Sequence, residues 1–229
     1  MIRFENISKK YGQTEVLNIP ELEISKNEII GLVGNNGAGK TTAFSILLDL
    51  IKPTSGRVIS KNDDVSQSEE WKSYTASFLD DSFLIGFLTP DEYFEFIGTL
   101  ANMNRKETLE FVNKYEVFFN GEIIGKKKYL RDLSKGNQKK VGLVAALIGH
   151  PEVLVLDEPF SNLDPTSQIR LKKIIQEASN DKTILISSHD LNHVLDICTR
   201  VILLEKGLII KDIPNDSAAV EEIQTYFAG

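Results

Sequence analysis

Short apolar runs, each bounded by turn-forming residues, predict the β-strands of this chain. The segments around Ile2 and Phe4, ELEIS, and GRVIS after KPTSG alternate apolar and polar positions, which indicates half-buried strands near the N-terminus. The segments EIIGLVG, EVLVLDEP and KTILISSHD are almost continuously apolar, as parallel strands buried on both faces are. The two ends of the chain are therefore predicted to share a sheet.

Helix signals dominate the middle of the chain. In TPDEYFEFIG, Thr89 is predicted as the N-cap, Pro90 as the first helical residue and Glu92 as the partner that completes a capping box. The segment NRKETLEFVNKY repeats this pattern with Asn104 and Glu107. We therefore expect a helical insertion between the strand-rich parts.

Helical segments also lie between the buried strands. TTAFSILLDLI follows the first of them, and SQIRLKKIIQEAS, with its apolar Ile169, Ile174 and Ile175, separates the last two. Alternating strands and helices predict an α/β fold. No internal repeat or Gly/Ser-rich linker interrupts the sequence, so we expect a single domain over residues 1–229.

Composition and charge restrict the possible partners. The chain has 229 residues, 41% of them apolar, and a formal net charge of −7, which argues against a broad nucleic-acid surface. The run Lys126–Lys128 is most simply a solvated loop. The single cysteine, Cys198, is expected in a reducing compartment as a small apolar helix residue. We find no signal-peptide pattern and no apolar run of the roughly 18 to 20 residues that span a bilayer, so a membrane role would require a partner.

The strongest motif is GNNGAGKTT, between a predicted buried strand and a predicted helix. Its glycines allow backbone N–H groups to converge on phosphate oxygens, Lys40 reaches the terminal phosphates, and Thr41 supplies a hydroxyl to Mg²⁺. The motif predicts a P-loop that binds the phosphates of a nucleotide together with Mg²⁺. The predicted nucleotide-binding residues are Gly34, Asn35, Asn36, Gly37, Ala38, Gly39, Lys40, Thr41 and Thr42.

Two carboxylates follow a second buried strand, at the sheet edge where ligands collect. Asp157 is predicted to orient Mg²⁺, and Glu158 to accept a hydrogen bond from the attacking water and so act as general base. The alternative for Glu158 is a cap of the loop before Pro159. His189 follows a third buried strand and is predicted to reach the same edge, where a neutral imidazole can contact the γ-phosphate. A lone histidine is more often structural, and we interpret His150 and His193 that way.

The segment LSKGNQKKVGLVAALIG contains a second candidate anion site. Ser134 and free backbone N–H groups, including that of Gly136, converge at a predicted helix N-terminus. This turn belongs to the helical insertion, whereas the P-loop belongs to the strand-rich part. The turn is therefore not expected to close over the nucleotide of its own chain.

Together these motifs resemble the nucleotide-binding subunits of ABC transporters over almost the whole chain. Tyr11 in KKYG resembles the aromatic residue that stacks on adenine, and LSKGNQ resembles the signature loop. The segment SNLD, which ends at Asp164, resembles the D-loop, and His189 resembles the switch histidine. The resemblance implies a P-loop NTPase (RecA-like) core with an N-terminal antiparallel β portion. The core is expected over residues 1–80 and 150–229, and the helical subdomain with the signature loop over residues 81–149.

The resemblance also implies how the two anion sites are used. In a head-to-tail dimer, Ser134 and Gly136 of one subunit cap the γ-phosphate bound to Lys40 of the other. The partners it implies are an identical or different ATP-binding subunit and a separate transmembrane subunit. The expected location is the cytoplasmic face of the membrane, with membrane contact only through that partner.

The chain departs from the family pattern in two places. In the signature loop, Lys135 occupies the position of the first glycine, and Asn137 that of the glutamine. At the hinge into the helical subdomain, Asp80 stands where a glutamine normally contacts Mg²⁺ and water. Aspartate at this hinge resembles the exporter branch that includes drug, bacteriocin and other ABC-2-type systems, and we retain Asp80 as a candidate metal ligand.

Two other classes of function are weighed against a transporter ATPase. A soluble ABC-type ATPase of translation or DNA repair typically fuses two cassettes or inserts a long coiled coil, and neither feature occurs here. A GTPase or small-molecule kinase shares the P-loop but needs no signature loop, D-loop or trailing histidine. The guanine-reading Asn-Lys-x-Asp motif is also absent, NKYE at Asn113 being the nearest match.

Overall fold

In the computed structural model, which describes residues 1–216, ten strands form one mixed sheet. The strands are Ile2–Tyr11 (β1), Thr14–Ile24 (β2), Ile29–Val33 (β3), Ser55–Ser60 (β4), Asp63–Asp64 (β5), Thr75–Phe78 (β6), Val153–Leu156 (β7), Thr183–Ser188 (β8), Arg200–Glu205 (β9) and Leu208–Pro214 (β10). The α-helices of the described residues are Lys40–Leu47 (α1), Pro90–Leu100 (α2), Arg105–Asn113 (α3), Glu116–Phe119 (α4), Lys135–Ala145 (α5), Pro165–Ala178 (α6) and Leu191–Leu195 (α7).

The strand order is β5-β4-β1-β2-β10-β9-β3-β8-β7-β6. Strands β9, β3, β8, β7 and β6 pair in parallel, whereas β2, β1, β4 and β5 pair antiparallel. The α/β fold is confirmed; the N-terminal strands contribute an antiparallel portion, and β10 also pairs antiparallel with β9. The three buried strands predicted from the sequence, β3, β8 and β7, lie side by side. Their carboxyl ends therefore form one edge of the sheet.

Alternate residues of the central strands point to two separate cores. On β7, Leu154 and Leu156 pack with α2, α3, α5 and α6, whereas Val153 and Val155 pack against α1 and the N-terminal strands. This period of two is the expected geometry of a strand covered on both faces. The continuous apolar runs of the sequence are thus explained.

Helix α5 packs very closely against the sheet. Its Gly142 faces Phe78 of β6, and a Cβ atom at position 142 would lie 2.0 Å from the Phe78 ring. Only glycine allows the helix and the strand to approach so far. The position of α5 relative to the sheet is therefore set by this contact.

The predicted helix starts are confirmed in detail. Thr89 and Asn104 accept hydrogen bonds from the backbone N–H groups of Glu92 and Glu107, and both capping boxes are complete. Of the three apolar residues noted in α6, Ile169 is 58% exposed, Ile174 is partly buried and Ile175 is buried. Cys198 is buried but follows α7 instead of lying in a helix, and burial raises the pKa of its thiol. Within residues 1–216, no helix is long and apolar enough to cross a membrane.

Candidate active site

The P-loop connects β3 to α1 at the sheet edge. Gly37 and Gly39 have φ values of +83° and +107°, in the left-handed region that favours glycine. Gly34 is not in this region, contrary to the expectation for all three glycines. Glycine is required at position 34 for a steric reason instead, because a Cβ atom there would lie 2.2 Å from the carbonyl oxygen of Leu204. Residues 35–37 form the exposed tip of the loop.

Lys40, the first residue of α1, is buried under this loop. Its Nζ donates hydrogen bonds to the carbonyl oxygens of Gly34 at 2.6 Å and Asn35 at 3.3 Å. It also lies 3.4 Å from Glu158 Oε1. The one buried ammonium of the loop is therefore placed between the loop backbone and the predicted catalytic carboxylate.

Asp157 follows β7 and contacts Thr41, the second residue of α1. Thr41 Oγ1 donates to Asp157 Oδ2 at 2.5 Å, and the hydroxyl of Ser187, on β8, donates to the other carboxylate oxygen. These two contacts orient the buried carboxylate. The oxygen atoms of Thr41 and Asp157 are thus adjacent, as both were predicted to be.

These oxygens are the hard ligands that Mg²⁺ prefers, and the residues present fit the ion. Among residues 1–216, no group of three or more His, Cys, Asp or Glu side chains forms a metal cage. Mg²⁺ commonly completes its octahedron with water and substrate phosphate oxygens instead of protein ligands. A site built on Thr41 and Asp157 is compatible with this coordination, in which water and phosphate supply the other ligands.

Glu158 and His189 come together although they are far apart in sequence. His189 Nδ1 lies 2.8 Å from Glu158 Oε2, while Glu158 Oε1 is buried without a hydrogen-bond partner and faces Lys40. Glu158 itself adopts φ +46°, a left-handed conformation that is unusual outside glycine and concentrates at functional sites. The geometry thus places the Glu158 carboxylate between Lys40 and His189.

Asp80 lies at the same edge of the sheet, and its carboxylate already accepts a hydrogen bond from Ser82. Its Oδ1 accepts a hydrogen bond of 2.8 Å from the N–H of Ser82, which caps the short 3-10 turn Asp81–Phe83. Hydrogen bonding from the Ser82 side chain is the main cause that lowers the pKa of the Asp80 carboxyl. Asp80 also lines a cleft of 430 Å³ together with Thr41 and Asp157. The structure brings Asp80 near the predicted metal ligands, and direct metal contact remains a prediction.

The signature turn opens into a different cavity. Ser134 is the N-cap of α5 and accepts from the N–H of Asn137 at 3.2 Å. Ser134, Gly136 and Asp164 line a polar cavity of 480 Å³, and neither Lys40 nor Asp157 contributes to it. Asp164 is the N-cap of α6, and the hydroxyl of Ser167 lowers the pKa of its carboxyl. The two predicted anion sites of the chain therefore lie in different cavities, although Asn162 lines both.

Lys135 turns away from this second cavity. Its ammonium pairs with Asp81 of the same chain, and it lines the cleft that contains Thr41 and Asp157. Asp81 raises the pKa of this lysine. Lys135 therefore does not add a charge to the signature cavity; it connects the signature turn to the cleft of its own chain.

The other predicted residues lie away from these clusters. Tyr11 ends β1 and is 55% exposed, with Lys9 Nζ 4.9 Å from its ring centroid. The adjacent strand β2 approaches the P-loop, since a Cβ on Gly39 would lie 2.9 Å from the carbonyl of Val16. The adenine contact of Tyr11 remains a prediction. His193 stacks on Phe160 with centroids 4.6 Å apart, and burial lowers the pKa of its imidazole.

Sequence reasoning missed three residues that contact the site. Ser187 joins Asp157 to the N–H of Glu158, and Lys139 and Ser161 bind the carbonyl oxygen of Glu158. Ser187 follows the apolar run of β8 two residues before His189, which is a usable signal. Lys139 stands beside Lys140 in a polar segment that carries no such signal.

Comparison with known proteins identifies the family of the chain. The ABC transporter family model matches residues 17–161. An uncharacterized ABC transporter ATP-binding protein of Methanocaldococcus jannaschii is 35% identical over 96% of this chain and 82% of its own length. A lantibiotic transport ATP-binding protein of Streptococcus pyogenes is 31% identical over 97% of this chain and 95% of its own.

The fold is also shared with a solved structure. A dimeric ATP-binding cassette in a post-hydrolysis state with ADP and phosphate superimposes with a TM-score of 0.83. The match covers 95% of this chain and 100% of that one at 22% identity. On the family match and the two relatives, the chain belongs to the ABC transporter family, among its ATP-binding proteins.

Proposed function

We propose that this chain is the ATP-hydrolysing subunit of an ABC transporter and that closure of an ATP-bound dimer drives a separate transmembrane subunit. The observation that carries the proposal is the convergence of Lys40, Asp157, Glu158 and His189 at one sheet edge. Each follows a strand or loop of the parallel sheet, so one bound nucleotide can contact all four.

The chemistry follows from the position of each group. Lys40 neutralises the terminal phosphates, and Thr41 and Asp157 would hold Mg²⁺, which supplies charge stabilisation to the transferred phosphoryl group. Glu158 accepts the proton of the attacking water. His189, at 2.8 Å from Glu158 Oε2, holds that carboxylate and contacts the γ-phosphate.

The separate signature cavity supports a dimer. Ser134 and Gly136 line the signature cavity, to which neither Lys40 nor Asp157 contributes, so we propose that within one chain they do not face the phosphates bound to Lys40. A second subunit placed head to tail supplies the missing cap for each nucleotide. Two ATP molecules are then held between the subunits, which are identical or two related chains.

An apolar cleft supports docking on a transmembrane subunit. Leu50, Phe83 and Tyr93 line a cavity of 230 Å³, and the side chains of Leu50 and Phe83 are more than half exposed. Exposed apolar clefts of this kind are typical of protein contacts. The partner segment we propose is an apolar helix of the membrane subunit, which would hold this chain at the cytoplasmic face.

The transport direction we propose is export. The relative from Streptococcus pyogenes is named for lantibiotic transport, and Asp80 stands at the hinge position that resembles the exporter branch. Neither observation favours the alternative of a soluble ATPase in translation or DNA repair. The same division of the chain into a core at 1–80 and 150–229 and a helical subdomain at 81–149 is part of this proposal.

Replacing Lys40 by Ala should weaken ATP binding by about tenfold or more, because charge-assisted hydrogen bonds contribute about 1.5–3 kcal/mol. Calorimetry with Mg²⁺ present measures the affinity. Lys182→Ala removes another buried lysine, paired with Asp181 outside the site, and is the matched control. Equal ATP affinity in Lys40→Ala and the parent chain would contradict the P-loop assignment.

Asp80→Ala should raise the Mg²⁺ concentration for half-maximal hydrolysis by about tenfold, as loss of groups around a metal typically does. ATP affinity should change little, because the hydrogen bond that Asp80 makes is to Ser82 and not to the P-loop. The control is Asp64→Ala, since Asp64 also accepts a backbone hydrogen bond, from Ser66, at the far edge of the sheet. Unchanged Mg²⁺ dependence in Asp80→Ala would remove this residue from the site.

A further inference from the structure

Lys139 connects the signature helix to the loop that carries Glu158. The residue is only 8% exposed, and its Nζ donates to the carbonyl oxygen of Glu158 at 2.7 Å and to Ser161 Oγ at 2.5 Å. It lies on α5, whose N-cap is Ser134. A buried charge thus bridges the helix of one anion site and the predicted general base of the other.

The Glu158 peptide is held from both sides. Its N–H donates to Ser187 Oγ at 2.9 Å, and its carbonyl oxygen accepts from Lys139, from Ser161 Oγ at 2.9 Å and from the Ser161 N–H at 3.2 Å. The left-handed backbone of Glu158 is sparsely populated outside glycine and persists only where surrounding contacts hold it. Lys139 supplies the one charged contact to this peptide.

A merely structural role does not explain a lysine at this position. Burial lowers the pKa of Lys139, which reflects the cost of placing an ammonium away from water. An apolar side chain of similar length would fill the same space without that cost. The ammonium donates to the carbonyl oxygen of Glu158 and to the hydroxyl of Ser161. Both partners lie on the loop that follows β7, so the ammonium holds this loop in position.

We infer that Lys139 is a positioning residue for ATP hydrolysis, which fixes the Glu158 peptide so that the carboxylate faces the nucleotide of its own subunit. The inference rests on the proposed function. Because Lys139 and Ser134 share α5, the same contact connects the turn that caps the partner's nucleotide with the general base of its own chain.

The test compares Lys139→Met, which keeps the length and removes the ammonium, with Lys139→Arg, which retains charge and donors. Steady-state ATPase assays of the full chain should show kcat reduced about ten- to a hundredfold in Lys139→Met, since misplacing a reacting group by about 1 Å costs roughly 10²-fold. KM and calorimetric ATP affinity should stay near the parent values. Lys139→Arg should recover part of kcat, and Lys182→Met is the control for loss of a buried lysine.

A second measurement separates positioning from packing. If Lys139 acts through Glu158, adding Lys139→Met to Glu158→Gln should not slow single-turnover hydrolysis further, because coupled residues are not additive. A further loss in the double variant, an unchanged kcat in Lys139→Met, or a shared fall in kcat, ATP affinity and thermal stability that Arg does not rescue would each overturn the inference. Absence of hydrolysis by the unsubstituted chain would instead overturn the proposed function itself.

Discussion

Replacing Glu158 by Gln should reduce ATP hydrolysis by about 10²- to 10⁴-fold while ATP still binds. The amide keeps the shape of the side chain and loses the basic carboxylate that accepts the proton of water. Glu158 Oε1 is buried without a hydrogen-bond partner and lies 3.4 Å from Lys40 Nζ, while the other carboxylate oxygen contacts His189. ATPase assays and calorimetry on the same protein separate turnover from binding.

The control for this substitution is Glu152→Gln. Glu152 precedes β7 at the opposite end of the strand that leads to Glu158, and it pairs with Lys61 on the surface. The same chemical change there should leave turnover within about twofold of the parent, because surface ion pairs contribute little. Glu158→Gln with parental turnover would show that another group activates the water.

Replacing Ser134 by Arg should leave ATP binding by the monomer intact and block ATP-induced dimerisation. Ser134 lines a cavity to which Lys40 and Asp157 do not contribute, so we expect it to act on nucleotide bound to another subunit. A charge-assisted hydrogen bond to phosphate is worth about 1.5–3 kcal/mol, and its loss shifts closure of a weak dimer by about tenfold or more. Size-exclusion chromatography in a Glu158→Gln background, where hydrolysis does not reopen the dimer, measures the effect.

Mixing Ser134→Arg subunits with Lys40→Ala subunits gives a sharper test. In a mixed dimer, one composite site carries both substitutions and the other carries neither, so part of the ATPase activity should return. Each variant alone has a defect in both composite sites. An ATP-stabilised dimer of Ser134→Arg, or a mixture no more active than its components, would show that the signature turn does not work across the interface.

Much of the site is predictable because it depends on strand order and local capping. Asp157 and His189 directly follow apolar runs, and parallel strands bring such positions to one edge. Thr89 and Asn104 cap helices through residues three positions away, which the sequence displays directly.

The contacts that were missed join residues distant in sequence. Lys135 pairs with Asp81, and Lys139 binds Glu158, through packing of α5 on the sheet that no local pattern specifies. The hairpin of β9 and β10 was also missed, although β9 is an apolar run like its neighbours.

The close contact between Gly142 and Phe78 would act as a pivot if α5 tilted against the sheet. If the helix tilts about this contact, Ser134 lies about 12 Å from the pivot and Lys139 about 4.5 Å, at 1.5 Å per residue. A displacement of the signature turn by about 1 Å then moves Lys139 by only about 0.4 Å, which keeps its 2.7 Å hydrogen bond within the normal range. A tilt of this size would therefore leave the hydrogen bond between Lys139 and Glu158 in place, whereas a displacement of the turn by several ångströms would break it.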